Sequence, residues 1–158
     1  MKSLKVIPDL VTAKNAAFRL LEVRPRSVEE LTARLRLKNC PAGLIQETIQ
    51  FLKKYNYLDD RQFAADWIRA RLKQGYGLRR IEMELRQKGV DQAIIDAQAT
   101  AAKDAQGANG EETLRELTRR RAARFESLDP LKRKKRLFDF LARRGFDIEE
   151  IQKAIKDL

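Results

Sequence analysis

Two adjacent arginines, Arg79 and Arg80, follow the segment Gly75-Tyr76-Gly77 and open a predicted helix. The dipole of a helix favours carboxylates at this end by about 0.3 to 1 kcal/mol per charge, so cations are out of place there. Tyr76 is the aromatic residue best placed to touch a base or a protein ligand. The arrangement predicts an anionic partner outside the chain.

A second cationic run extends from Lys132 to Arg136 and crowds the beginning of another predicted helix. Arg71 and Lys73 flank the glycine segment from its other side. Like Arg79 and Arg80, they have no good acidic partner nearby in the sequence. We interpret these cations and the tyrosine as the candidate contacts with a partner or with DNA. The candidates are Arg71, Lys73, Tyr76, Arg79, Arg80, Lys132, Arg133, Lys134, Lys135 and Arg136.

The motifs of common catalytic sites are missing from the sequence. It contains no HExxH, no GxSxG and no phosphate-binding loop, and no pair of carboxylates shares an apolar face with a base. Asp59 and Asp60 immediately precede a helix and are typical of N-cap residues. With no histidine and Cys40 as the one cysteine, no zinc site is expected, and Cys40 is predicted to be buried. We predict a non-enzyme without cofactor or metal.

The chain is strongly basic, with 34 Lys and Arg against 23 Asp and Glu in 158 residues and a net charge of +11. This balance predicts a polyanionic or acidic partner, and direct binding to DNA fits it. Apolar runs are too short to span a membrane. Pro8 and Asp9 interrupt the N-terminal segment before a secretory signal could form. We therefore expect a cytoplasmic protein, and a monomer.

The candidate residues must be positioned by helices, because apolar residues recur at intervals of three and four from about Thr12 onward. Residues 27–30 and 147–150 have the pattern of capping boxes, and Gly89 and Gly145 suit left-handed helix ends. The fold class is therefore all-α, and only Leu4–Ile7 hints at an extended segment. The predicted helices span residues 13–23, 28–38, 42–54, 60–73, 78–88, 92–104, 111–125, 130–143 and 148–157.

The sequence also repeats itself, with offsets of 50 and then 56 residues. Short helix pairs usually bury their apolar faces by stacking on copies of themselves. We predict three tandem three-helix repeats at residues 12–58, 59–106 and 111–158, with a flexible linker at residues 104–110. The offsets superpose Leu31 with Ile81 and Leu137, Leu35 with Leu85 and Leu141, Ile45 with Ile95 and Ile151, and Asn39 with Gly89 and Gly145.

The repeats provide an internal comparison for the misplaced charges. The second repeat has Arg79 and Arg80 and the third has Lys135 and Arg136 at positions where the first has Glu29-Glu30. Those carboxylates are what the helix dipole favours. The comparison assigns partner contact chiefly to the second and third repeats and leaves the first mainly as scaffold.

The central segment of the chain resembles the RecX family of regulatory proteins. The flanks agree, and the likeness covers about residues 12–158, although Asn39-Cys40-Pro41 replaces the usual glycine-containing turn. The residues that carry the likeness are Leu58-Asp59-Asp60, Phe63-Ala64, Arg69, Arg71, Gly75, Gly77, Arg80-Ile81, Leu85 and Lys88-Gly89-Val90, with Arg26-Ser27, Glu30-Leu31 and the run from Phe140 to Phe146 in the flanks.

The resemblance implies an elongated, curved array of three repeats that binds the groove of the RecA recombinase filament on DNA. It also implies modulation, usually inhibition, of ATP hydrolysis, strand exchange and the coprotease activity that triggers the SOS response during DNA recombination and repair. On this hypothesis, replacing Arg79 and Arg80 by glutamate weakens filament binding and leaves folding intact. Two alternatives stay open: a stand-alone basic helical DNA-binding module, and a helical adaptor for another acidic protein.

Overall fold

A computed structural model describes residues 7–156 of the chain, without the side chains of residues 108 and 109. Helices form the architecture, and no strand occurs in that part of the chain, so the all-α prediction is confirmed. Most of the suggested extended segment Leu4–Ile7 lies outside the described residues. The α-helices are α1 Leu10–Val23, α2 Val28–Leu37, α3 Ala42–Lys54, α4 Asp60–Lys73, α5 Leu78–Gln87, α6 Gln92–Ala122, α7 Pro130–Arg144 and α8 Ile148–Ile155, with a 3-10 helix at Ala123–Phe125.

Three separate groups of buried apolar residues divide these helices into three units. Unit one consists of α1, α2 and α3, which pack around Leu31 and Leu35. Unit two consists of α4, α5 and the first part of α6, around Ile81 and Leu85. Unit three combines the remainder of α6 with α7 and α8, around Leu141. The tandem three-helix organisation is confirmed, whereas the residue limits of the repeats and the curvature of the array stay predictions.

The middle helix of each unit supplies the centre of its core. Burying a large aliphatic side chain stabilises a protein by about 1.5 to 3 kcal/mol, which explains why the repeated positions are apolar. Cys40 is buried as well, as predicted, and burial raises the pKa of its thiol. The fully buried middle-helix positions are Leu31, Leu35, Ile81, Leu85, Leu137 and Leu141.

Each middle helix ends in the same left-handed turn. Gly89 and Gly145 have φ angles of 73° and 86°, and Asn39 reaches the same region at 56°. Asparagine tolerates this backbone better than most residues, so the unusual turn of unit one keeps the geometry of the other two. The N–H that follows each turn donates to a carbonyl oxygen of its helix: Cys40 to Leu35 at 3.1 Å, Val90 to Leu85 at 3.1 Å, and Phe146 to Leu141 at 3.3 Å.

Helix starts also follow the sequence signals. Both predicted capping boxes form, at residues 27–30 and 147–150. Asp59 accepts a hydrogen bond from the N–H of Arg61 at 2.8 Å, which confirms it as the N-cap of α4. These caps fix where α2, α4 and α8 begin, and thereby how each unit is oriented on its neighbour.

Residues 104–110, the predicted flexible linker, are helical except at Gly107. Two helical segments meet there at a kink, where φ is 45° and ψ is −134°, and we number them together as α6. Glycine adopts such a conformation readily because it has no Cβ. A single non-helical residue therefore separates the part of α6 that belongs to unit two from the part that belongs to unit three.

Candidate partner-binding surface

The N-terminus of α5 docks on the C-terminal turn of α7, and we call this contact joint two. Gly77 donates its N–H to the carbonyl oxygen of Arg144 at 2.8 Å, and Arg79 donates its N–H to that of Gly145 at 3.2 Å. The guanidinium of Arg80 donates to another carbonyl oxygen in the last turn of α7 at 3.2 Å. Because a helix C-terminus carries partial negative charge, the guanidinium of Arg80 has an anionic neighbour within the chain. An anion outside the chain is therefore not needed to explain Arg80.

Glu84 of α5 holds two of the candidate cations. Its carboxylate accepts hydrogen bonds from Arg71 Nε at 2.8 Å, Arg80 Nε at 3.2 Å and Trp67 Nε1 at 3.1 Å. Burial raises the pKa of the Glu84 carboxyl, but these hydrogen bonds outweigh it, so the pKa lies below its ordinary value. The prediction that Arg71 and Arg80 lack good acidic partners is therefore wrong.

The other two cations around the glycine segment are more exposed. Arg79 Nη1 lies 3.7 Å from Asp147 Oδ1, and 61 % of the Arg79 side chain is accessible to solvent. An ion pair this long and this exposed contributes little to stability. Lys73 is exposed and forms no ion pair with any residue that the structure describes. Of the four cations near the glycine segment, Lys73 fits the prediction of an unpaired charge, and Arg79 comes close to it.

Tyr76 lies beneath three guanidinium groups. Its ring centroid is 3.7 Å from Cζ of Arg71, 5.1 Å from that of Arg80 and 5.0 Å from that of Arg144. Arg144 also donates to the carbonyl oxygens of Gln74 and Gly75, both at 2.9 Å. The tyrosine ring therefore helps to hold joint two together through cation–π contacts. A contact of Tyr76 with a base or a protein ligand stays a prediction.

Units one and two meet through an equivalent contact, which we call joint one. Ser27 takes the place of Gly77 and donates its hydroxyl to the carbonyl oxygen of Lys88, the residue equivalent to Arg144. Nζ of Lys88 lies 3.0 Å from Glu30 Oε1. In joint one, a carboxylate at the start of α2 faces a lysine at the end of α5. In joint two, arginines at the start of α5 face backbone carbonyl oxygens at the end of α7. The charge difference between the repeats reflects how each joint is paired.

Hydrogen bonds strongly favour the ionised form of Glu30. Burial raises its pKa, but donors from Arg24, Lys88 and Ser27 outweigh that effect and lower the pKa from 4.5 to about 2. Asp60 adds a second carboxylate to joint one, because its Oδ1 accepts the N–H of Val28 at 2.9 Å. Asp60 therefore caps the middle helix of the preceding unit, a contact that its position in the sequence does not reveal.

Glycine is required at both joints because the helices approach very closely. A Cβ built on Gly145 would lie 2.4 Å from Cβ of Arg80, and one built on Gly89 would lie 2.4 Å from Cβ of Glu29. The equivalent residue of unit one is Asn39, which is exposed. This position therefore carries a side chain only in unit one. In the described chain, no helix start from another unit docks on the C-terminal end of α2.

The N-terminal half of α7 corresponds to the starts of α2 and α5, which form joints one and two. No further unit covers it in the described chain. It carries the run Lys132–Arg136, which we call the α7 cationic surface. Helix α7 begins at Pro130 with Asp129 as its N-cap. By the repeat offset this start lies about one turn earlier than that of α5. Lys135 and Arg136 therefore belong to the second turn of the helix, as its predicted start at residue 130 implies.

None of the five cations of the α7 cationic surface forms an ion pair with a described residue. Lys132, Lys135 and Arg136 are exposed. Lys134 and Arg133 are half-buried: Lys134 Nζ donates to a carbonyl oxygen near the end of α8 at 3.3 Å, and Nε of Arg133 has no acceptor. Five adjacent cations that form no ion pair with a described residue repel one another, so an anionic partner would relieve that repulsion.

The structure also exposes two aromatic residues that the sequence analysis assigned to scaffold. Tyr55 and Tyr57 are 54 % and 57 % accessible, at the end of α3 in unit one. Their signal in the sequence is a pair of tyrosines around Asn56, directly after Lys53-Lys54, at the end of a predicted helix. The charges of the middle helices, which distinguish the repeats, give no indication that these two tyrosines are exposed.

The described residues form neither a membrane span nor a metal cluster. No helix there is long and apolar enough to cross a membrane. No group of three or more Cys, Asp or Glu residues lies close enough together to hold a metal ion in that part of the chain.

The fold and the joints define an all-helical repeat protein of three tandem three-helix units. Three family models match it in chain order: the first RecX three-helix domain at residues 13–52, the second at residues 59–97 and the third at residues 109–155. The chain belongs to the RecX family of regulatory proteins. The resemblance drawn from the central segment is confirmed.

Individual relatives agree with this assignment. The chain is 35 % identical over 137 residues to Regulatory protein RecX of Mycolicibacterium smegmatis, which covers 85 % of this chain and 73 % of that protein. It is 34 % identical over 149 residues to Regulatory protein RecX of Stenotrophomonas maltophilia, covering 94 % and 88 %. The crystal structure of RecX from Lactobacillus salivarius has the same fold, with a TM-score of 0.83 at 22 % identity over 94 % of this chain and 96 % of that one.

Proposed function

We propose that this protein binds the RecA recombinase filament on DNA and modulates it, chiefly by inhibition. The activities affected are ATP hydrolysis, strand exchange and the coprotease function that triggers the SOS response. Membership of the RecX regulatory family supports the proposal at the level of the family. A nucleoprotein filament offers phosphates and protein carboxylates together, which suits a strongly basic helical array.

The α7 cationic surface is the observation that carries the proposal. In units one and two, the start of the middle helix is covered by the next unit, and its charges have partners inside the chain. In unit three the same helix end is uncovered, and Lys132, Lys135 and Arg136 are exposed. We assign the main filament contact to this surface. Lys73 and Arg79, which are exposed beside joint two, are the secondary contacts, and Arg71, Tyr76 and Arg80 support the joint.

The decisive experiment measures the DNA-dependent ATPase of the cognate recombinase with this protein added well below one copy per recombinase monomer. Inhibition at that ratio is expected, because a bound regulator affects a filament of many subunits. Lack of inhibition at concentrations that leave the DNA mostly free would overturn the proposal. DNA binding without inhibition would favour the stand-alone DNA-binding module. Tight binding to an acidic protein in the absence of DNA would favour the adaptor.

A charge-reversal pair tests the assigned surface. Lys132→Glu with Lys135→Glu is expected to weaken inhibition at least about tenfold. The fold should stay intact, because both side chains are exposed and a carboxylate at Lys132 suits the first turn of α7. The matched control is Arg61→Glu with Lys103→Glu, which changes the net charge equally at exposed positions outside the surface. If both pairs weaken inhibition alike, net charge and not this surface is responsible. For each phosphate contact that is lost, the slope of log affinity against log salt should fall by about 0.9.

A further inference from the structure

Unit one carries an exposed aromatic pair that no joint uses. Tyr55 and Tyr57 close α3, and more than half of the surface of each residue is accessible. The neighbouring aromatic stripe of α4 behaves differently, because Phe63 is buried in the core of unit two and Trp67 packs against it. Among the described aromatic residues, the two tyrosines are therefore the best placed to contact a ligand outside the chain.

The pair is held rigidly. Asn56 lies between the tyrosines with a left-handed φ of 58°, and its N–H donates to the carbonyl oxygen of Lys53 at 3.1 Å. Tyr57 donates its own N–H to the carbonyl oxygen of Leu52 at 2.8 Å. The turn thus repeats the hydrogen-bonded geometry of the middle-helix ends. A fixed backbone lowers the conformational entropy that ligand binding would cost.

A second aromatic ring fixes each tyrosine side chain. Phe18 packs edge-on against Tyr57 with centroids 5.0 Å apart and an angle of 88°, and Phe51 packs against Tyr55 at 4.8 Å and 50°. Edge and tilted contacts of this kind stabilise aromatic pairs and leave part of each ring free. Four rings from α1, α3 and the turn after α3 therefore form two aromatic pairs, which we together call the aromatic cluster.

Cations lie directly on the aromatic cluster. Lys14 Nζ is 3.7 Å from the ring centroid of Phe51, and Lys54 Nζ is 5.6 Å from that of Tyr55. Neither lysine forms an ion pair with a described residue. Rings that can stack on bases, next to cations that can bind phosphates, are the two elements of single-strand recognition. The cations would suit an acidic protein as well as a nucleic acid, and the rings, which can stack on bases, favour the nucleic acid.

We propose that Tyr55 and Tyr57 form a stacking site for single-stranded nucleic acid, with Lys14 and Lys54 contacting its phosphates. The site is separate from the α7 cationic surface and does not depend on a recombinase. Duplex DNA fits it poorly, because its bases are already stacked and paired. The proposal assigns a ligand contact to unit one, which the charge comparison had left as scaffold.

Fluorescence anisotropy of the purified chain with labelled oligothymidylate of about 16 nucleotides tests the site without any recombinase present. The test variant is Tyr55→Ala with Tyr57→Ala, and its matched control is Tyr55→Phe with Tyr57→Phe, which keeps both rings. A second control, Val23→Ala with Leu37→Ala, trims apolar side chains that are 77 % and 72 % exposed elsewhere on unit one. A chain of abasic nucleotides of the same length has the phosphates but no bases. Circular dichroism verifies that every variant is folded.

The alanine pair is expected to bind oligothymidylate about 10- to 100-fold more weakly, with the phenylalanine pair and the Val23–Leu37 control close to the original chain. Affinity for the abasic chain should be the same for all four proteins, because no base is present to stack.

Three results would overturn the proposal: no binding of oligothymidylate by the original chain, equal affinity of the alanine pair, or an equal loss on the abasic chain. Loss of recombinase binding alone, with unchanged binding of oligothymidylate, would identify a protein contact and also overturn it. Failure of the RecA proposal would leave these measurements unaffected.

Discussion

Gly77 donates its backbone N–H to the carbonyl oxygen of Arg144 at 2.8 Å, and this bond has a counterpart one unit earlier in the chain. There Ser27 donates its hydroxyl to the carbonyl oxygen of Lys88. The two pairs occupy equivalent positions of the repeat. The array is thus built by one operation used twice: the start of a middle helix docks on the end of the next middle helix. In the described part of the chain no further unit covers the start of α7, and cations without ion pairs are clustered there.

Gly145→Ala should destabilise the protein by about 2 to 4 kcal/mol. A left-handed backbone costs a non-glycine residue about 1 to 2 kcal/mol, and the new Cβ would also overlap Arg80. Gly43→Ala is the control, because nothing lies within 4 Å of a Cβ there, and alanine favours a helix. Urea unfolding followed by circular dichroism measures both. Equal stability of the two variants would mean that joint two is looser than the structure indicates.

Arg80→Gln and Arg79→Gln should differ clearly although the residues are adjacent. Arg80 bonds Glu84 and a carbonyl oxygen of α7, so its replacement should cost about 1 to 3 kcal/mol of unfolding free energy. Arg79 forms one long, exposed ion pair, and its replacement should cost less than about 0.5 kcal/mol. Only the first variant should lose stability in urea. The sequence alone predicts that reversing both charges leaves folding intact, and the present prediction for Arg80 replaces it. A larger loss of unfolding free energy in Arg79→Gln than in Arg80→Gln would contradict the present prediction.

Glu30 should make joint one sensitive to acid. The pKa of Glu30 is lowered from 4.5 to about 2 in the folded protein, so its ionised form stabilises the fold above about pH 4.5. That contribution should disappear as the pH falls from about 4.5 towards 2. The unfolding free energy of the original chain and of Glu30→Gln should differ at pH 7 and converge near pH 2. A difference that does not change with pH would exclude the ion pair with Lys88 as its source.

Gly107 and Gly110 offer a matched pair for the bend in α6. Gly107→Ala should destabilise the protein by about 1 to 3 kcal/mol, because φ of 45° with ψ of −134° suits glycine alone. Gly110→Ala should be neutral or stabilising by up to about 1 kcal/mol, since its Cβ would meet only the flexible Gln106 side chain at 3.4 Å. Thermal unfolding measures both variants. Stabilisation by alanine at Gly107 would indicate that α6 is straight in solution.

The class of fold, the repeat and the helix ends follow from the order of residues along the chain. Apolar spacing placed Leu31, Ile81 and Leu137 in three equivalent cores, and all three are fully buried. Gly89 and Gly145 predict left-handed turns at the ends of the middle helices, and both residues adopt the left-handed backbone conformation. These features depend on local periodicity and on backbone conformations that few residue types tolerate, so the order of residues along the chain is enough to predict them.

Which charges are free depends on the packing of the helices in space. Glu84, four residues after Arg80 on the same helix, is a partner that the sequence offers, whereas the carbonyl oxygen 63 residues away at the end of α7 is brought to Arg80 only by the fold. Backbone carbonyls at a helix end attract cations, yet they leave no trace in a list of charged residues. The exposure of Tyr55 and Tyr57 likewise depends on which face of α3 its neighbours cover. Pairing and exposure are properties of distance in space, and sequence spacing does not fix them.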